Sequence, residues 1–207
     1  PNENIYIAKM GVSGSYLEAS TGGEYSGMER SDWSTTSLAA EPSGNLFNMI
    51  FSSTGDSGLS KVQGLAVTGE GEPFLKARGN DLLQVCGIFY INGESDALGK
   101  PTVGNTAAAD FDQNIQDFAY RLRHQLTATN WVDSTSIPFV QTVIHEDTTG
   151  EGTATIRATQ LSVTGDIALA ANVDLNAFTL EDNNRDLNAS SLIELGDALV
   201  TSYLTIL

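Results

Sequence analysis

From residue 85 onward the chain alternates short runs that are apolar on both faces with longer segments that are apolar on one face only. That alternation constrains the fold more than any other feature of the sequence. VCGIFYIN (85–92), PFVQTVIH (138–145) and IALAANVDL (167–175) read as strands. A strand that is apolar on both sides needs cover on both sides, which is the situation of a parallel sheet between two helical layers. Between these runs, AADFDQNIQDFAYRLRHQL (108–126) repeats Phe111, Ile115, Phe118, Leu122 and Leu126 at spacings of three and four, with acids leading and bases trailing. This predicts an amphipathic helix whose charges complement its dipole. GTATIRATQLSV (152–163) predicts a second helix on the shared face of Ile156, Thr159 and Val163. A third is predicted over about 191–206, opened by a capping box of Ser191 with Glu194.

Upstream of residue 85 the pattern is weaker. IYIAKMG (5–11) reads as a short buried strand and GNLFNMIFSS (44–53) as a short helix. Residues 11–43 and 54–82 are rich in Gly, Ser, Thr and other polar residues and read as loop-rich insertions. No repeat is visible, and 207 residues suffice for one domain spanning 1–207 with a real core. The expected fold class is α/β, a three-layer sandwich with a mainly parallel sheet.

Twenty-six acidic residues against ten basic ones give a net charge of −16. Such a surface repels phosphate backbones and anionic lipid, so neither nucleic acid nor a membrane is an expected partner. No apolar run is long enough for a membrane-spanning helix. The one cysteine, Cys86, lies in an apolar run and reads as a small buried hydrophobe, and it leaves no internal disulfide. Asp110, Asp112 and Asn114 imitate the start of a calcium loop, but the glycine and closing glutamate that such a loop requires are absent. No metal or other cofactor is expected.

IFYINGESDA (88–97) resembles the segment W-x-Q-G-E-S-D-A of the carbohydrate-esterase and sialate O-acetylesterase branch of the SGNH hydrolases. Other pieces follow in that family's order. IYIAKMGVSGSYL (5–17) is similar to K-x-x-x-G-G-T-S-L, and Trp33 with GNLFNMI to W…G-x-L-Y. IPFVQTVI (137–144) is similar to the strand after the long helix, TIRATQ (155–160) to I-R-x-A-Q, and DLNASSLIELGDAL (186–199) to H-L-N-A-x-G-x-x-E-L-G-x-x-L. The resemblance implies a flavodoxin-like sheet with its site at the carboxyl ends of the strands. It also implies sugar deacetylation by a Ser nucleophile, a His base and an oxyanion hole. By the same resemblance the oxyanion residues are Gly14 and Asn92, the latter replacing the usual Gln, and Glu94, Ser95 and Asp96 match the family outright. Glu94 and Asp96 have two readings, as braces of their loop or as ligand contacts.

The family's Ser comes from a turn after a first strand, upstream of the Lys segment. Here eight residues precede Lys9, too few for that strand and turn, so the first strand is expected to be lacking or replaced. At the family's His position stands Asp186, and Asn183 stands at its Asp position. A carboxylate with an ordinary pKa near 4 is a poor base toward a serine hydroxyl. Substitutes are weak. Ser57 sits in a Gly-Asp-Ser turn out of the family's order, His145 ends a strand, and His124 reads as an exposed residue of the long helix. The expected function is therefore a non-catalytic, esterase-like module for glycan binding or for assembly, for instance in a virion or at a cell surface. Carbohydrate or other protein subunits are its expected partners, and a homo-oligomer or larger assembly its expected state. The alternative is an active carbohydrate O-acetylesterase whose nucleophile lies on an N-terminal segment missing here or on a partner chain.

Overall fold

A computed structural model describes residues 17, 50, 85–98, 106–128, 135–181 and 186–207. The expectations for 5–43 apart from Leu17, for 44–53 apart from Ile50 and for 54–82, together with Gly14, Trp33, Ser57 and Asn183, lie outside the described residues. Among the described residues three parallel strands stand in the order β1-β2-β3: β1 (Ile88–Tyr90), β2 (Phe139–Val143) and β3 (Ala170–Asp174). Helices α1 (Glu94–Leu98) and α2 (Thr106–Ala128) separate β1 from β2. Helix α3 (Thr153–Ser162) separates β2 from β3, and α4 (Ala189–Leu204) follows β3. The fold is α/β with an all-parallel sheet flanked by helices, as expected.

The strand alternation sends successive side chains to opposite layers. Phe139 joins one core cluster with Phe111, Ile115 and Phe118 of α2 and Ile156 of α3. Its neighbour Val140 joins the other, with Val173 and with Leu195 and Leu199 of α4. Every apolar position predicted for the α2 stripe is buried. Leu17 and Ile50 are buried in the α2 side of the core. All five residues of β2 are buried, Gln141 and Thr142 included, as befits the central strand.

Three expectations need correction. The strand expected over 85–92 is ordered as such only from Ile88 to Tyr90 and is not doubly covered among the described residues: Phe89 and Ile91 are exposed. Pro138 has no N–H to extend the ladder backwards, although its carbonyl accepts from the Ile88 amide at 2.9 Å. Cys86 is exposed, because it lies before the strand in a segment whose carbonyl is bonded by the Tyr203 hydroxyl at 3.0 Å. The capping box does not form. Asn188 caps α4, accepting from the Ser191 amide at 2.9 Å, while the Ser191 hydroxyl accepts from the Thr179 amide at 2.9 Å.

Candidate functional site

The turn after β1 is built around Gly93, whose φ of +134° suits glycine alone. A Cβ there would also sit 2.8 Å from Gln160 Nε2 and 3.1 Å from Ile144 Cγ2. The Asn92 side-chain oxygen accepts from the Gly93 amide at 2.8 Å, and the Gly93 carbonyl accepts from the Ala97 amide at 2.9 Å, which starts α1. A second close approach lies at Gly150, where a Cβ would meet the Ala97 carbonyl, so the β2–α3 loop packs directly on α1.

Gln160 of α3 joins these parts. It is fully buried; its Nε2 donates to the Asn92 carbonyl at 2.9 Å and its Oε1 accepts from the Ile144 amide at 2.8 Å. The Gln160 carbonyl in turn accepts from Gln141 Nε2 at 2.8 Å. One side chain thus fixes the carboxyl ends of β1 and β2 relative to each other, with buried backbone groups as its partners.

Asp96 is fully buried, and both its oxygens accept from the Leu17 amide, at 3.0 and 3.1 Å. Through these bonds Asp96 ties Leu17 to α1. The Tyr90 hydroxyl is buried near the Asn92 side chain. Burial first, and the charge of Asp96 second, hold that phenol protonated well above its ordinary range.

Glu94 opens α1. Burial raises the Glu94 carboxyl above the ordinary glutamate value, the helix amide partly offsets this, and the charge of Asp186 adds to it. Asp186 is itself exposed. A single antiparallel bridge, Leu180 with Leu187, and a 2.7 Å bond from the Glu181 amide to the Asp186 carbonyl set its backbone. Ser95 is half-buried next to Glu94.

His145 lies just past β2, in the loop leading to α3. Its Nδ1 accepts from the Asp147 amide at 3.1 Å, whereas the Asp147 carboxylate at 3.7 Å is beyond hydrogen-bond reach. Among the described residues no serine hydroxyl is bonded to it. His124 is exposed on α2, against Tyr120, as expected. Sequence reasoning gave no role to Arg157, which ties the ends of β2 and β3. It donates to the Ile144 carbonyl and, through two nitrogens, to Asp174 at 3.1 and 3.0 Å. Burial alone would raise the Asp174 carboxyl, but hydrogen bonds from Arg157 and the Asn176 amide, with the nearby positive charges, bring it below its ordinary value. Arg157 and Gln160 both lie in TIRATQ, so the signal was present as a pattern without a chemical role.

The family model for carbohydrate esterase, sialic acid-specific acetylesterase, matches residues 73–205. None of the curated proteins compared matches the chain. Among solved structures, an Arabidopsis thaliana protein determined by X-ray crystallography is similar at 24% identity and a TM-score of 0.49. That likeness covers 59% of this chain and 45% of the other, so the chain spans less than half of that protein. The family match runs from before β1 through α4 and takes in the Gly93 turn, Gln160 and Asp186: the chain belongs to the sialic acid-specific acetylesterase family of carbohydrate esterases.

Proposed function

We propose that this domain binds a glycan in the family cleft without transferring an acyl group. The observation that carries the reading is the residue at the family's His position: Asp186, a carboxylate whose charge acts on the Glu94 carboxyl. Carboxyl oxygens can accept from sugar hydroxyls. The same pair is ill suited to take a proton from a serine and return it to a leaving group. Retention of the Gly93 turn, its Gln160 tether and the Asp96 brace supports a cleft kept in shape for a ligand. Active O-acetylesterase chemistry is the second reading, and family membership favours it.

Hydrolysis of 4-nitrophenyl acetate and of O-acetylated sugars, with and without a serine-directed phosphonate, separates the two, alongside calorimetric titration with the same sugars. The expected result is sugar binding that Glu94→Ala weakens at least fivefold, with no phosphonate-sensitive turnover. Sustained turnover abolished by the phosphonate overturns the proposal, as does the absence of sugar binding.

A further inference from the structure

At the opposite, amino end of the sheet a depression of about 500 Å³ opens between α2 and the residues leading into β3. It is separated from the family cleft by the length of β2, about 17 Å. Its wall contains Arg123, which is only 8% exposed. Arg123 Nη2 donates to the Ala168 carbonyl at 2.8 Å and more weakly to that of Leu169 at 3.4 Å, where the backbone takes an unusual positive φ of 51°. Its Nε is shut off from solvent and has no partner among the described residues, and among these no carboxylate lies within ion-pair distance of the guanidinium, whose remaining exposure is at the wall of the depression. A guanidinium so placed is costly unless something anionic or strongly accepting meets it.

The rest of the lining is suited to a polyol. Tyr120 is 63% exposed, with its ring centroid 4.2 Å from that of His124. This leaves an aromatic surface on which the C–H face of a sugar can rest. Gln116 lends its amide nitrogen to Asp112 at 3.0 Å, and Gln113 does the same for Asp117 at 3.0 Å. Their side-chain oxygens are acceptors held at the rim by these bonds. Asp117 adds a further acceptor and disfavours polyanions such as phosphate chains.

We propose that this depression is a second saccharide site, selective for a sugar that carries one carboxylate: the acid meets Arg123, the ring lies on Tyr120 and the hydroxyls bond the amide and Asp117 oxygens. The site does not depend on the reading of the family cleft.

The test is NMR titration of the full chain with glucuronate, glucose and acetate as probes. Glucuronate is expected to shift the Tyr120 and His124 resonances and to bind at least tenfold more tightly than either glucose or acetate. Tyr120→Ala and Gln116→Ala, both on the helix surface, are expected to weaken it at least fivefold, and Arg123→Gln to abolish the preference over glucose. Glu94→Ala is expected to leave it unchanged, which separates this site from the cleft. Absence of glucuronate binding overturns the proposal. So does equal binding of acetate, which would mark a bare carboxylate site, or of glucose, which would leave Arg123 without a role.

Discussion

Gln160 does more for the site than any residue that sequence reading singled out. Its partners are backbone groups of Asn92 and Ile144, reached across a turn, and such contacts leave no periodic trace in a sequence. Gln160→Leu keeps the volume but strands a buried amide and a buried carbonyl, and it should cost about 3 kcal/mol, read as a lowered urea midpoint at unchanged slope. A loss below about 0.5 kcal/mol would mean that water replaces the side chain. A bracing role for Asp96 was legible, but its partner was not, because Leu17 is 79 positions away. The two shifted carboxyls act on stability with opposite sign. Glu94 holds its proton more tightly folded than unfolded, so lowering the pH from its folded value toward the ordinary value near 4.5 stabilises the fold. Asp174 is depressed; its contribution is full above the ordinary value near 3.8 and is lost as the pH falls through its folded value. Comparing urea midpoints across pH for wild type and Glu94→Gln isolates the first effect. The expected difference favours the variant at neutral pH and shrinks on acidification; a difference that does not change with pH would contradict it.

At the scale of elements the sequence was informative wherever periodicity was strong. The α2 stripe, the doubly apolar β2 and the helix over 153–162 all fall where spacing put them, because burial of those same residues holds them there. Ends were legible less well. The start of α4 depends on which of several side chains, in DLNASS, reaches a free amide, and Asn188 rather than Ser191 does so. Ser191 is turned instead toward the Thr179 amide. Asn188→Ala should therefore cost about 1 kcal/mol, and Ser190→Ala, whose hydroxyl only touches the Asn188 oxygen at 2.9 Å, much less. Equal effects from the two in urea denaturation would show that the cap is not where stability resides.

For the whole molecule the decisive quantity is charge. Among the described residues α2 and α3 lie on one face of the sheet and α4 on the other. With 26 acidic and 10 basic residues, like charges outnumber opposite ones over the chain as a whole, and folding brings them closer together. Mutual repulsion of this kind destabilises the compact state. Salt shortens its range, from about 30 Å at 0.01 M to about 8 Å at 0.15 M. The Arg157–Asp174 pair is partly shielded from solvent and responds less than the exposed acids do. The balance predicts that Tm rises by several degrees as NaCl goes from 10 to ~150 mM, a range in which screening dominates over the exclusion effects of concentrated salts. KCl should act equally, since screening depends on ionic strength and not on the cation. A Tm that stays flat or falls over this range would mean that attractive surface pairs outweigh the net charge, and that the acidic excess is already neutralised by arrangement within the fold.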